Sequence, residues 1–252
     1  MSEMTDVVAA RSPLFERPRQ IASWWHLAGY VLVVMGIAAW GFQSQQAGHG
    51  GSAPTDSKQL GEHGAALWFY LSAALGDLAF LYYCWMGVHH HGGTFETLTG
   101  GRWRSVTDVA KDVAMALPFW LLWEAVAFGV WRLLGPSDAL SIDALLPQSV
   151  PEIFAWIGVS IVAGFTEEIQ SRGYLQQQLH ALSGNIVAAI LGQAVFFGLL
   201  HSYQGWKSVI VITTLGILYG ALAVYRRNLR ASILAHAWSD IWEGWLKMLV
   251  WR

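Results

Sequence analysis

The sequence predicts an all-α fold, a polytopic bundle of transmembrane helices. Three observations carry this. Of 252 residues, 54% are hydrophobic and 13% are charged, whereas soluble domains carry about 25% charged residues. Several apolar runs reach the roughly 20 residues that a spanning helix needs. The 15 tryptophans include Trp24, Trp25, Trp40, Trp103, Trp131, Trp206 and Trp251 near the ends of those runs, where aromatic belts meet the membrane interface.

Taken in order, the runs predict seven spans: 21–42, 65–88, 113–134, 150–182, 185–203, 209–225 and 232–250. An eighth would have to hide in a broken or re-entrant segment. Residues 1–20 form a polar tail, which reads as cytoplasmic and lacks the short apolar stretch of a cleavable signal. The first run then reads as a signal anchor. Gly48–Pro54 and Gly92–Thr99 are loop-like, and Ser183-Gly184-Asn185 reads as a turn. The fourth run is too long for a simple span. Its second half is polar (Gln170, Ser171, Arg172, Gln176, Gln177, Gln178, His180). It therefore predicts a helical hairpin protruding beyond the bilayer.

Loop charge alternates. Arg11, Arg17 and Arg19 precede the first span. Arg102, Arg104 and Lys111 lie between spans two and three, and Arg226, Arg227 and Arg230 between spans six and seven. The intervening loops hold mainly Lys58, Arg132 and Lys207. The positive-inside rule puts the basic loops and the N-terminus in the cytoplasm. A net charge of −2 implies no nucleic-acid partner. Cys84 is the one cysteine, so no internal disulfide can form.

Glu167 and Glu168 stand side by side at the end of the apolar stretch Ile161–Thr166. A carboxylate at membrane depth costs about 2.5–3.5 kcal/mol and is usually functional. Two adjacent carboxylates in a poor solvent compete for ionisation, a setting in which a general base can be made. The plainer alternative is an acid pair lining a polar cavity or capping the span.

Counting from the turn places partners. Glu167 lies 17 residues before Gly184 and His201 lies 17 after it. In an antiparallel hairpin both sit about 25 Å from the turn, at one height. His236 is 8 residues beyond Asn228, where the last hairpin turns, about 12 Å from that turn. If the first hairpin protrudes by the difference, His236 shares the level. Glu168 and Arg172 are four apart and can pair. Asp240 and Glu243 continue the stripe of His236 on one helix face.

These residues form three ordered motifs. Glu167-Glu168-Ile169-Gln170-Ser171-Arg172 fits Glu-Glu-x-x-x-Arg, Phe197-Gly198-Leu199-Leu200-His201 fits Phe-x-x-x-His, and His236-Ala237-Trp238-Ser239-Asp240 fits His-x-x-x-Asn/Asp. Together they resemble the CAAX-protease and bacteriocin-processing (CPBP, or Abi) family of intramembrane endopeptidases, over about residues 150–245. The resemblance divides the chain into a tail at 1–20, N-terminal helices at 21–134 and a CPBP-like catalytic core at 150–250. It implies that Glu167 activates water with help from His201, and that Glu168 is a second acid held by Arg172. His236 and Asp240 would stabilise the oxyanion. Two positions depart from the family pattern. Ser171 stands where Phe is usual. Asp240 stands where the prenyl protease has Asn, and an ionised Asp cannot donate a hydrogen bond. Asp240 then either orients His236 or stays protonated.

A metal is the rival within the enzyme reading, since Glu167, His201, His236 and Asp240 could ligate zinc or another divalent ion. The stronger His-Glu-x-x-His zinc pattern is absent, so no cofactor is expected. Other features have plainer readings. His89-His90-His91 reads as a polar cap. Asp77 and Glu124 either pair within the bundle or line a path for substrate. His26 reads as interfacial, and Trp238, Trp242 and Trp245 as packing. The sequence thus predicts an intramembrane endopeptidase in a bacterial inner membrane, acting near the cytoplasmic face on membrane-associated proteins or peptides. A proton-coupled transporter or an immunity-type binding protein is the non-enzymatic alternative. Buried acids and histidines also serve proton relays, although no inverted repeat is evident.

Overall fold

The computed structural model describes residues 14–46, 63–135 and 146–246, with the side chains of 63–65 and 245–246 not described. The elements are α1 (Trp24–Gln46), α2 (His63–His90), α3 (Phe95–Thr99), α4 (Val106–Leu134), α5 (Val150–Glu168), a π-helical segment (Ile169–Gln176), α6 (Gln177–Ser183), α7 (Ile186–Leu200), a 3-10 turn (Ser202–Gln204), α8 (Trp206–Arg226), α9 (Arg230–Ile241) and a π turn (Trp242–Leu246). There is no strand among the described residues. Arg11, Lys58, Trp251 and the end of the seventh expected span lie outside them.

Five helical stretches are long and apolar enough to cross a membrane: Trp24–Gln46, Ala66–His90, Val106–Leu134, Val150–Ser183 and Trp206–Arg226. Their outer faces carry exposed Leu32, Trp68, Leu75, Leu121, Phe128 and Phe154. Their inner faces bury Glu168, Gln170, Arg172 and Gln176, and α7 buries Gln193. Apolar outside and polar inside is the arrangement of a multi-pass membrane protein. The expected fifth span is the 15-residue α7. It covers about 22 Å, short of a hydrocarbon core of roughly 30 Å.

Local sequence explains the element ends. At Ser183-Gly184-Asn185 the chain turns as expected. Gly184 adopts φ 66° after α6, a conformation that costs glycine little. Asn185 accepts hydrogen bonds from the Val187 and Ala188 amides and caps α7, a cap generally worth about 1 kcal/mol. Ser105 caps α4 by accepting from the Asp108 amide at 3.1 Å.

Helix packing relies on small residues and amide side chains. A Cβ added at Gly164 would lie 2.5 Å from the Ala237 nitrogen, so the α5 and α9 backbones nearly touch. A Cβ at Gly216 would lie 2.8 Å from Ala194 Cα, which draws α8 against α7. Gln193 donates to the Gly216 carbonyl at 2.8 Å and Gln176 to the Gly220 carbonyl at 3.2 Å. Such contacts replace the hydrophobic drive that is missing between helices in lipid. Tyr30, Cys84, Leu98, Tyr174 and Leu175 form one core. Trp120, Trp123, Phe197 and Tyr219 form a second.

One end of the bundle gathers the basic loops. Asp112 is fully buried and pairs with Arg226 at 2.6 Å and Arg230 at 2.8 Å, while Trp103 Nε1 donates to it at 2.8 Å. Arg230 also donates to the Arg102 carbonyl. The Leu14 amide donates to the Arg227 carbonyl, and that of Leu229 to the Thr99 carbonyl. The segments before α1, between α2 and α4, and between α8 and α9 are thereby tied together.

Candidate active site

Four elements supply the polar cluster: the α5–π junction, the end of α7, the 3-10 turn and α9. Glu167 and Glu168 close α5, and the π-helical turn carries Arg172. Such π segments are rare and concentrate at functional sites. Arg172 Nη1 lies 2.9 Å from Glu168 Oε1, and neither side chain reaches solvent. The guanidinium carbon sits 4.3 Å from the Phe197 ring centroid and 5.4 Å from that of Tyr219. Two aromatic faces therefore take the place of hydrogen-bond partners around a buried cation.

His236 Nδ1 lies 3.0 Å from Glu168 Oε1. With Nδ1–H donating to this carboxylate, Nε2 turns to the other side of the ring. There it lies 3.8 Å from Glu167 Oε2 and 3.9 Å from Asp240 Oδ2. His201 Nδ1 lies 2.9 Å from the Phe197 carbonyl oxygen. A carbonyl can only accept, so Nδ1 carries the proton and the neutral ring keeps a lone pair on Nε2. That nitrogen is 4.0 Å from Glu167 Oε2. Glu167 and His201 keep 18% and 17% of their side-chain surface exposed, and Asp240 keeps 35%. The inner pair is sealed and the outer face is open.

The six candidate residues are thus brought together. Nε2 of His201 and Nε2 of His236 both lie within 4.0 Å of Glu167 Oε2. The gaps around Glu167 Oε2 are too long for direct hydrogen bonds. Atoms 3.8–4.0 Å apart can each lie about 2.8 Å from one shared water. They are wider than the roughly 3.4 Å between neighbouring ligands of a tetrahedral zinc. Among the described residues, no three His, Cys, Asp or Glu side chains are arranged to hold a metal ion.

Two further residues border the cluster. Asp77 of α2 acts electrostatically on Glu167, Asp240 and His236, and its carbonyl accepts from Gln170 at 2.9 Å. Its place inside an apolar run was the available signal. Tyr203 of the 3-10 turn lies with its ring centroid 6.2 Å from that of His201, at an interplanar angle of 28°. No spacing rule singles it out. Glu124 instead accepts from Trp120 Nε1 within α4 at 3.1 Å. His26 is tied to Tyr174 at 2.6 Å and stacks on Tyr83. His89, at the end of α2, stacks on Trp85. Trp238 and Trp242 pack on Trp120.

Residues 148–242 match the Rce1-like family, described as type II CAAX prenyl endopeptidase Rce1-like. No curated protein and no solved structure matches the chain. The matched segment runs from just before α5 into the π turn after α9 and contains all six candidate residues. Over these residues the chain is similar to the CAAX-protease (CPBP) family of membrane proteases.

Proposed function

We propose that the protein is an intramembrane endopeptidase that hydrolyses peptide bonds with a water activated by Glu167. The observation that carries this reading is the approach of His201 Nε2, on a ring held through Nδ1 by the Phe197 carbonyl oxygen, to within 4.0 Å of Glu167 Oε2. A water between them donates one O–H to each acceptor, and its lone pairs then face outward.

The chemistry follows from these positions. The water oxygen bonds to the scissile carbonyl carbon while one of its protons passes to Glu167. The C=O π pair moves onto oxygen. When the pair returns, the C–N bond breaks and the proton on Glu167 goes to the leaving amine. The products are a carboxylic acid and an amine. Glu168 is fully buried, and Arg172 and His236 Nδ1 hold its Oε1, so we read it as the positioning acid. Its charge favours an imidazolium at His236, which carries a second N–H on Nε2 beside Glu167. Buried donors aimed at developing negative charge generally contribute much of an acyl-transfer rate. No step is routed through a metal.

The substrate reading is a membrane-associated protein or peptide. An apolar groove of about 270 Å³ is lined by Leu78, Leu81, Tyr82, Trp85 and Phe95. Phe95 stacks on Phe165, two residues before Glu167, at 6.1 Å. The groove supports a substrate whose apolar part stays in the bilayer while its peptide bond meets the acids. A bacterial inner membrane with a cytoplasmic N-terminus completes the reading. The test is to express wild type and Glu167→Gln in the native host and map protein termini in membrane and secreted fractions. Termini that require Glu167 support the reading, and identical termini from two folded proteins overturn it.

A further inference from the structure

With Asp240 ionised, the oxyanion side is one donor short. Asp240 occupies the position where the prenyl protease has Asn, and an ionised carboxylate only accepts hydrogen bonds. The structure brings a different donor to the cluster. The 3-10 turn that follows His201 carries Tyr203, whose ring lies beside the His201 imidazole. Its phenol oxygen accepts from Gln204 Nε2 at 2.9 Å. Among the described residues, no acceptor takes the hydroxyl proton. The phenol stands in the field of three carboxylates, those of Glu167, Asp77 and Asp240. A neutral donor among acceptors is what a developing oxyanion needs there. The amide bond into its oxygen polarises the O–H and makes it a better donor.

The turn is also held in place by α1. Ser202 Oγ donates to the Ala38 carbonyl at 3.1 Å. Gln45 Nε2 donates to the Tyr203 carbonyl. A Cβ on Gly41 would lie 2.7 Å from the Tyr203 nitrogen, so α1 presses directly on the turn. The other tyrosine near His236 does not offer the same group. Tyr219 is fully buried, and its hydroxyl faces Ser239 Oγ at 3.4 Å.

We propose that the Tyr203 phenol is the catalytic donor that stabilises the oxyanion formed from the scissile carbonyl. This rests on the glutamate-activated water described above. As the water oxygen bonds to the carbonyl carbon, the π pair moves to the carbonyl oxygen and Tyr203 O–H donates a hydrogen bond to it. The phenol keeps its proton throughout, and the bond is released when the C–N bond breaks.

The test uses the full chain in liposomes and an internally quenched peptide that spans a terminus requiring Glu167 in the host. Tyr203→Phe removes one oxygen and should lower kcat by about 100–1000-fold, with KM and thermal stability held. A kcat within about threefold of wild type would overturn the assignment. The double variant Tyr203→Phe/Asp240→Asn adds an amide donor nearby and should recover at least about tenfold over Tyr203→Phe, given the size of one oxyanion donor. A packing role for Tyr203 gives no such recovery, and a Tyr203→Phe protein that loses stability and is not rescued also overturns the proposal. If Glu167→Gln cleaves like wild type, or the host yields no terminus that requires Glu167, the activated-water reading fails and the Tyr203 assignment falls with it. If Glu167→Gln is inactive while Tyr203→Phe is active, only the Tyr203 assignment falls.

Discussion

His236 Nδ1 lies 3.0 Å from Glu168 Oε1, between two side chains that are nearly or fully removed from solvent. This bond joins α9 to the end of α5 and turns the other ring nitrogen toward Glu167. The two adjacent acids therefore have different work. Glu168 fixes an arginine and a histidine, and Glu167 faces the open side.

The first prediction separates the two acids. Glu167→Gln should lower cleavage by about 100–10,000-fold, the usual contribution of a general base, with little change in thermal stability. Glu168→Gln should lower both. A Glu167→Gln protein that unfolds as readily as Glu168→Gln would contradict this division.

The second prediction concerns the buried pair. Arg172→Met leaves buried Glu168 with His236 in place of two cationic partners, and breaking such a pair typically costs about 3–5 kcal/mol. Replacing both partners, as Glu168→Leu/Arg172→Met, should recover much of that stability but no activity, because the His236 anchor is gone. Thermal unfolding of the single and double variants reads the coupling directly.

Much of this site was legible in the sequence, for a definite reason. Gly184 fixes a tight turn, and a fixed rise per residue converts equal counts into equal height. Glu167 and His201 therefore had to lie at one height. The pairing of Glu168 with Arg172 followed from four-residue spacing, although the segment between them is π-helical rather than α-helical. Nothing in the pattern of Ile169–Gln176 marks that change. Tyr203 was not legible, because its position depends on a 3-10 turn clamped by α1, more than 150 residues away in sequence. The number of spans was only partly legible. Apolar composition does not distinguish a full crossing from the 15-residue α7.

The third prediction addresses helix approach. Gly164 lies against the Ala237 backbone, one residue after His236 in sequence. Gly164→Ala should force α5 from α9 and cost about 1–3 kcal/mol. It should also lower activity more than tenfold, since misplacing a reacting group by about 1 Å can cost about 100-fold. Gly158 has open space around its Cβ position, so Gly158→Ala is the matched control. Equal behaviour of the two variants would remove the argument from close approach.

The fourth prediction concerns metal. Cleavage by the purified protein should survive prolonged chelation, and elemental analysis should find less than one equivalent of any divalent ion. Loss of activity on chelation, restored by one specific metal, would replace the glutamate-activated water with a metal-bound one. The donors around Glu167 would then have to close in from 3.8–4.0 Å.

The fifth prediction concerns orientation. Arg102 sits in the basic loop between α2 and α4 and exposes 87% of its side chain. Its carbonyl is bonded to Arg230, so this loop shares one end of the bundle with the loop before α9. Cys84, the only native cysteine, is fully buried and should give little background labelling. Arg102→Cys should therefore react with a membrane-impermeant maleimide in inside-out vesicles and stay unreacted in intact cells. The open face of Glu167 would then be reached from the membrane or the cytoplasm. Labelling in intact cells would invert the bundle and move the site toward the opposite face, with the helix packing unchanged.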